Sequence, residues 1–528
     1  MVRRVLGIEG TAWAASAAVF DVGADDLTIH TEAYEPDSGG LHPREAAEHM
    51  SEHIPAVIER ALDGAGHGDP PIDAVAFSRG PGLGPCLRIA ATAARSVAQR
   101  YDVPLVGVNH MVAHLEIGRH QSGFEDPVCL NASGANAHVL AYRAGRYRVL
   151  GETMDTGVGN AIDKFTRHLG WSHPGGPKVE DRAKKGEYVK LPYVVKGMDF
   201  SFAGISSAAA EAVDDGVPVA NVCRGLEETA FAMLTEVTER ALSLTDGEQL
   251  VLGGGVGQNE RLQGMLRSMC EQRGADLFVP ESRFLRDNAG MIAVLGAKMA
   301  AAGDTVNIAD SAVDADFRPD EVPVTWREDA GLAPVATVAD RIQGAEATVS
   351  VDSATVTKRR SPRAYRHPTL DARLRRERTR QEARLIHEAR TEGVPTPVLS
   401  DVDLHEGSLT MERVGDRELR ASLDELRVRD VARHLATLHR AGMVHGDPTT
   451  RNVRLSDTRT YLLDFGLGYY SRDAEDHAMD LHVLRQSLAG TAENADRLVP
   501  AVRDAYAEIG ESAVLNRLDD IEGRGRYR

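Results

Sequence analysis

Two catalytic signatures from unrelated chemistries stand far apart in this 528-residue chain, and their separation constrains the fold more than any other feature. The first is His110-Met111-Val112-Ala113-His114. The second is His445-Gly446-Asp447-Pro448-Thr449-Thr450-Arg451-Asn452, followed by Asp464-Phe465-Gly466. A domain usually spans about 100–200 residues, so sites this distant need separate cores. The sequence describes a fusion of at least two units, each built round its own site.

The second signature is the more specific. In phosphoryl transfer an Asp accepts the substrate hydroxyl proton, an Asn five residues on holds a metal ion, and the Asp of a DFG turn holds the Mg²⁺ that bridges the nucleotide phosphates. Asp447, Asn452 and Asp464 have that order and spacing, and the strand-like Tyr461-Leu462-Leu463 precedes the last of them. Lysine usage points the same way. Of 61 Lys plus Arg only 8 are Lys, and Lys358 is the single Lys after Lys298, although residues 341–528 carry 30 Arg. A lone ammonium kept among guanidinium groups suits a compact charge against nucleotide phosphates.

Composition describes the surroundings. With 79 Asp plus Glu and a net charge of −18, the surface is that of a protein from a salt-rich, halophilic archaeal cytoplasm. There, screening over about 3 Å at 1 M salt makes crowded carboxylates tolerable. Cys86, Cys129, Cys223 and Cys270 show no C-x-x-C spacing, so neither a disulfide partner nor a cysteine metal knot is expected; they read as buried apolar groups. No apolar leader opens the chain and no run of about 18 uncharged apolar residues follows, so the expectation is a cytoplasmic protein without a membrane partner.

The clearest break falls between about Phe317 and Val338, where Arg318-Pro-Asp-Glu-Val-Pro323 and Gly331-Leu-Ala-Pro334 read as linker chemistry. We divide the chain into 1–325, a linker at 326–338, and 339–528. Before the break, strands at Val2–Glu9, Ala74–Ser78, Leu105–Val108 and Gln249–Leu252 alternate with Ala-rich helical stretches, which predicts α/β layers. After it, strands near 345–358 and 409–414 flank a charged helix near 371–391, with an α-helical half beyond.

Four loops of the first unit follow strands or open helices: Gly7–Thr11, Ser78–Pro85, Asn131–Asn136 and Gly253–Asn259. Backbone amides in such loops hold phosphates. Together they predict an actin-like nucleotide fold of two lobes. His110 and His114 are four apart, so on a helix both imidazoles leave one face and can share a metal. Asp287, at the head of a further helix, supplies a third ligand, and two His with one carboxylate suit Fe(II) or Zn(II). A zinc protease would need a Glu directly after the first His, and position 111 is Met.

Residues 1–317 resemble the universal tRNA threonylcarbamoyladenosine transferase, the catalytic subunit of the archaeal KEOPS complex, formerly labelled a glycoprotease. The motifs that carry this are residues 7–11, 80–88, Asn109–His114, Gly159–Phe165, Pro174–Glu180, Phe200–Ser206 and Asp287-Asn-Ala-Gly290. The C-terminal part resembles the small RIO-like atypical serine/threonine kinase of the same complex, through Gly344–Ala347, Lys358-Arg-Arg, Tyr365–Pro368, Arg378-Thr379, Glu382-Ala383, the His-Gly-Asp run and Asp464–Gly468. Archaea have these subunits as one fused chain. The fold implied is a two-lobed α/β actin-like (ASKHA) domain followed by a small α+β protein-kinase-like (RIO-type) domain.

The resemblance implies roles residue by residue. His110, His114 and Asp287 bind one metal, usually iron. Asn131, Ala132, Ser133, Gly134, Ala135, Asp163, Gly176, Glu180 and Asn259 hold threonylcarbamoyl-AMP. Its threonylcarbamoyl group passes to the N6 amine of the adenosine 3′ of the anticodon, in tRNAs reading codons that begin with A. In the kinase part Gly344, Ala345, Glu346, Ala347, Lys358 and Glu382 bind ATP, Asp447 is catalytic, and Asn452 and Asp464 hold Mg²⁺. The partners implied are tRNA and the small KEOPS subunits.

Two positions depart from the family pattern: Asn131 stands where a metal-reaching Tyr is common, and Pro448 where Leu is usual. The kinase part has no G-x-G-x-x-G loop and no A-P-E segment, which favours an ATPase or autokinase over a signalling kinase. For tRNA contact, residues 358–390 hold 12 Lys plus Arg against 4 Asp plus Glu, and Arg524, Arg526 and Arg528 end the chain. Phosphate contact needs such basic islands, although a helix laced with salt bridges has the same composition. A protein kinase with a regulatory nucleotide-binding N-terminal domain is the alternative reading.

Overall fold

The computed structural model describes residues 2–34, 42–65, 70–143, 145–327, 341–343, 347–492 and 494–524. The first sheet places Asp26–Ala33, Ala14–Asp21, Arg4–Glu9, Ala74–Gly80 and Leu105–Asn109 side by side in that order. Its first three strands pair antiparallel and the last three parallel. The second sheet repeats the pattern with Arg146–Glu152, Ala137–Arg143, Val128–Ala132, Gln249–Gly253 and Asp276–Phe278. One topology is thus used twice, giving the two lobes of an actin-like unit.

Helices cover these sheets, so the central strands are apolar on both faces, as in Val5-Leu6-Gly7-Ile8, rather than alternating. Helix His110–Ser122 lies between the sheets. Its residues from His110 to Gly118 are all buried, because it has protein on every side. Helix Ala289–Ala301 returns after the second sheet and packs on the first through Met291, Val294 and Leu295. The four cysteines are buried, as their spacing led us to expect.

The C-terminal unit opens with an antiparallel sheet in the order Arg341–Gln343, Thr348–Val351, Thr355–Arg359, Ser408–Glu412, Leu399–Asp403. Helix Pro368–Thr391 connects Thr355–Arg359 to Leu399–Asp403, the third and fifth strands in sheet order, starting at a Pro in the first turn, where the missing N–H costs nothing. A second lobe packs helices Glu425–Arg440, Ala474–Thr491 and Ala495–Ala507 around Leu435, Val453, Phe465, Leu484 and Tyr506. Helix Ser512–Arg524 closes the chain. This lobe is not purely helical as expected: short strands at Val453–Leu455, Thr460–Leu462, Met443–Val444 and Tyr469–Tyr470 frame the second signature. Two- and three-residue strands are too short for an alternating pattern to register.

The Pro-rich stretch packs on the first unit as far as Arg327. Pro319 and Val322 are buried, and Trp326 stacks on Tyr147 with ring centroids 6.3 Å apart. The Arg327 guanidinium lies 3.8 Å above the Tyr142 ring and pairs with buried Glu116 at 3.3 Å. Residues 318–327 are therefore a strap on the first unit, and 328–338 lie outside the described residues.

The C-terminal unit has its own core, and three of its residues also join a core of the first unit. Tyr365, Leu370 and Leu374 pack into the cluster that holds Phe231 and Leu234 of helix Val219–Thr245. That helix carries Glu236 and Glu239, and these take up three residues of the basic stretch set aside above for tRNA. Arg366 reaches Glu236 at 2.6 Å, Arg378 reaches it at 3.0 Å, and Arg363 reaches Glu239 at 3.2 Å. Arg375 pairs with Asp371 on its own helix at 2.8 Å. The salt-bridge reading of this stretch is the correct one for these four residues. Among the described residues no helix is long and apolar enough to cross a membrane.

Candidate functional site

Asn109 ends the fifth strand of the first sheet, and its side chain accepts hydrogen bonds from the N–H groups of Met111 and Val112 at 3.0 and 3.1 Å. That cap starts the helix at His110 and puts His110 and His114 one turn apart on one face. Asp287 precedes a second capped helix, where Asn288 accepts from Met291 N–H at 3.2 Å. Nε2 of both His110 and His114 lies 3.3 Å from Asp287 Oδ1. The three ligand atoms lie within 4.8 Å of one another, and the two imidazoles stand at 90°. Such a convergence of two nitrogens and one carboxylate oxygen fits a shared metal ion.

Glu9, which the sequence reading valued only for its loop amides, orients this group. Its Oε2 meets His110 Nδ1 at 3.1 Å and accepts from Ser78 Oγ, while Oε1 accepts from Thr11 N–H at 2.8 Å. Burial opposes a charge on His110, but the Glu9 and Asp287 carboxylates outweigh it and push the imidazole up to about 10. Burial leaves His114 below its ordinary value. Although burial resists it, the two histidines hold Asp287 well below the carboxylate range.

The predicted adenylate-binding residues form a connected wall beside this triad. Asn131 is fully buried and donates to Met111 Sδ at 3.5 Å, next to His110. Ser133 Oγ donates to Asn136 O at 2.7 Å, and Gly134 O accepts from Asn160 N–H at 2.9 Å. Those bonds fix the loop around Ala132 and Ala135 against helix Val158–His168, which carries Asp163. Asp163 Oδ1 accepts from Gly175 N–H at 2.8 Å and so holds the turn into helix Gly176–Ala183. Glu180 accepts from Glu260 N–H at 3.0 Å at the start of helix Glu260–Arg273, while Asn259 caps that helix by accepting from Arg261 N–H at 2.8 Å and donates to Glu227 at 2.7 Å. Burial pushes Glu227 up to about 7 despite that bond.

The C-terminal site is assembled between its two lobes. Lys358 Nζ lies 2.8 Å from Glu382 Oε1 and 2.6 Å from Asp464 Oδ1. Arg360 braces the other Glu382 oxygen at 2.6 Å. Asn452 Nδ2 donates to Asp447 Oδ2 at 3.0 Å and to Asp447 O at 2.9 Å. Asp480, absent from the sequence reading, accepts from the N–H groups of His445 and Gly446 at 2.6 and 2.7 Å and anchors the loop from below. A cavity of about 330 Å³ is lined by Ala347, Lys358, Glu382, Asp447, Asn452 and Asp464, together with Met198 and Arg240 of the first unit. Gly344, Ala345, Glu346, Arg526 and Arg528 lie outside the described residues, as does the Arg524 side chain. A second cavity, of about 560 Å³, runs from Met111, Ala135 and Asn160 to Asp476 and His482 on the C-terminal helical lobe.

Residues 25–294 match the family model described as TsaD, tRNA N6-adenosine threonylcarbamoyltransferase. Three relatives share the description "Probable bifunctional tRNA threonylcarbamoyladenosine biosynthesis protein". The one from Halobacterium salinarum is 68% identical over 99% of each chain. The one from Haloarcula marismortui is 67% identical over 99% of this chain and 100% of its own. The chain belongs to this family. The relative from Methanospirillum hungatei, 51% identical over 99% of each chain, shows that the full two-unit length extends beyond the halobacterial sequences. The protein is accordingly a bifunctional enzyme of tRNA threonylcarbamoyladenosine biosynthesis whose first unit is a transferase.

Proposed function

We propose that the first unit transfers the threonylcarbamoyl group of threonylcarbamoyl-AMP to the N6 amine of the adenosine 3′ of the anticodon. We propose further that the second is a RIO-type kinase or ATPase that drives or regulates the cycle. The observation that carries the first reading is the His110–His114–Asp287 cluster set beside the wall built from Asn131 to Ala135. His110, His114 and Asp287 would hold one metal ion, Fe(II) or Zn(II), both of which suit two imidazoles and one carboxylate. When bound, the ion supplies Lewis acidity toward an acyl phosphate. The backbone of 133–135 with Asp163, Gly176, Glu180 and Asn259 holds the adenylate and keeps its carbonyl facing the cluster. The acceptor amine attacks that carbonyl, the C–O bond to phosphate breaks, AMP leaves, and the amine proton passes to solvent.

In the second unit Lys358, held by Glu382, neutralises ATP phosphates, and Asn452 and Asp464 hold Mg²⁺. Asp447 accepts the proton of the phosphoryl acceptor, water or a hydroxyl of the chain itself. The unit acts in the cytoplasm with the small KEOPS subunits, and the tail carrying Arg524, Arg526 and Arg528 contacts tRNA phosphate.

Nucleoside mass spectrometry tests this on unmodified tRNA incubated at high salt with the chain, the small subunits and threonylcarbamoyl-AMP made in situ. Threonylcarbamoyladenosine should form with the parent and be lost in His110→Ala, and Asp447→Ala should reduce multiple turnover. Full product from His110→Ala would remove the metal cluster from the reaction.

A further inference from the structure

One carboxylate of the transferase unit holds the sheet-bearing lobe of the C-terminal unit directly and reaches the helical lobe through Arg240 and Gly197. Glu236 sits in helix Val219–Thr245 with its side chain 1% exposed. It accepts from Arg366 at 2.6 Å and from Arg378 at 3.0 Å, both from the sheet-bearing lobe. Arg378 stands one turn before Glu382 on the same helix face, and Glu382 is the partner of Lys358. Toward the other lobe, Glu236 accepts from Arg240 at 2.6 Å, and the second arm of Arg240 donates to Gly197 O at 2.5 Å.

Gly197 is the tip of a hairpin made by Val195–Lys196 and Asp199–Phe200. Its backbone is left-handed, and a Cβ there would come within 3.2 Å of Gly446 O and 2.5 Å of Val483 Cγ2. The hairpin tip therefore abuts the loop that carries Asp447. Beside it, Lys196 pairs with Asp476 and covers the Tyr469 ring at 5.5 Å. Tyr193 Oη closes the hub by donating to Glu236 at 2.5 Å.

We propose that Glu236 is a positioning residue for the C-terminal nucleotide site. Through Arg378 it sets the helix that presents Glu382 to Lys358. Through Arg240 and Gly197 it sets the loop that presents Asp447. Its carboxylate thereby sets the separation of the two lobes that close on ATP. Uncharged glutamine in its place offers one acceptor oxygen where three guanidinium groups and a phenol now converge, so both attachments loosen together. This inference rests on the kinase or ATPase reading of that site.

The test is steady-state MgATP hydrolysis by the full chain carrying Glu236→Gln, Arg378→Gln or Asp464→Asn, with thermal unfolding of each. Misplacing reacting groups by about 1 Å costs on the order of 10²-fold, so Glu236→Gln should lower kcat by at least about tenfold. It should also raise the KM for MgATP about fivefold, because lobe closure is part of binding. A shortage of folded enzyme lowers kcat but leaves KM unmoved, so unchanged KM overturns the proposal. Arg378→Gln leaves Glu236 with Arg366 and Arg240, keeps the interface assembled, and decides the matter if Glu236→Gln does not fold; its KM should rise about threefold. Loss of hydrolysis in Asp464→Asn alone, with both other variants at parental kcat and KM, overturns the proposal and leaves the kinase reading standing. Parental hydrolysis in Asp464→Asn removes that reading and the proposal with it.

Discussion

Glu9 and His110 meet at 3.1 Å across 101 residues of sequence. The contact brings the first strand of one sheet to the helix that carries the imidazole pair, and it leaves Nε2 of His110 facing Asp287. Partners of this kind fix tautomer and ring orientation in metal-binding histidines. Replacing Glu9 with Ala should therefore weaken retention of the metal by about 10–100-fold, without removing any of the three proposed ligands. Competition with a chromogenic chelator reads this directly, and parental retention in Glu9→Ala would contradict it.

A Cβ at Gly157 would stand 2.4 Å from Gly134 O and 2.5 Å from Ala135 C, both backbone atoms of the loop proposed to hold the adenylate. Gly157→Ala should push that loop out of place. Overpacking costs about 1–3 kcal/mol, and most of it should appear as a raised KM for threonylcarbamoyl-AMP with a smaller drop in kcat. An unchanged KM would show that the loop does not hold the adenylate.

Asp199 begins the second strand of the hairpin that contacts the C-terminal unit and accepts from Glu152 N–H at 2.8 Å. Burial, with the neighbouring Glu152 carboxylate adding to it, pushes Asp199 up to about 8 from an ordinary 3.8. A raised folded-state value means that the stability this group contributes is present below the ordinary value and is lost as pH rises toward about 8. Glu152 shifts the other way, from an ordinary 4.5 to about 2: burial is outweighed by the His138 hydrogen bond and charge and by Arg318, so its contribution is lost as pH falls from about 4.5 toward about 2. Between about pH 5 and pH 8 the unfolding midpoint of Asp199→Asn should accordingly gain on that of the parent, measured at fixed salt. Parallel profiles would place the titration elsewhere.

Asp480 holds three donors in the buried second lobe: His445 N–H, Gly446 N–H and His439 Nε2 at 3.1 Å. Each buried donor left unsatisfied costs about 1–3 kcal/mol, so Asp480→Ala should destabilise this lobe by on the order of 3 kcal/mol or more. Chemical denaturation followed by a probe on that lobe measures it. A loss under about 1 kcal/mol would mean that other acceptors replace the carboxylate.

The acidic surface, at −18 net charge, should make stability salt-dependent. Raising salt from about 0.1 M to about 1 M shortens the screening length from about 10 Å to about 3 Å and relieves carboxylate repulsion. The unfolding midpoint should rise across that range, and a falling midpoint would contradict the halophilic reading.

The local signals in the sequence were the ones that located the sites. The i, i+4 spacing of His110 and His114 is itself the geometry that one helix face needs, and Asp447, Asn452 and Asp464 lie close enough in sequence for spacing to encode position. Contacts between distant segments could not be read in that way. Nothing near Glu9 announces His110, except that it is a carboxylate ending an apolar strand, and nothing near Asp480 announces the loop it anchors.

The basic stretch at 358–390 shows the limit most clearly. A charge count treats Arg363, Arg366 and Arg378 as free for phosphate, whereas Glu236 and Glu239 hold them. Those partners are over a hundred residues away on a helix whose own pattern marks it only as buried. The strap at 318–327 failed for a related reason. Pro-rich chemistry resembles a linker until Trp326 and Arg327 are seen to have Tyr147 and Glu116 waiting for them.

The central claim, that transfer takes place at the His110–His114–Asp287 cleft and not at the C-terminal nucleotide site, is tested most directly by single-turnover transfer. Pre-formed threonylcarbamoyl-AMP would be mixed with unmodified tRNA and the chain with its small subunits, in the absence of ATP. The account predicts one round of threonylcarbamoyladenosine from the parent and from Asp464→Asn, and none from His114→Ala. Product from His114→Ala at the parental rate, or its loss in Asp464→Asn, would contradict it.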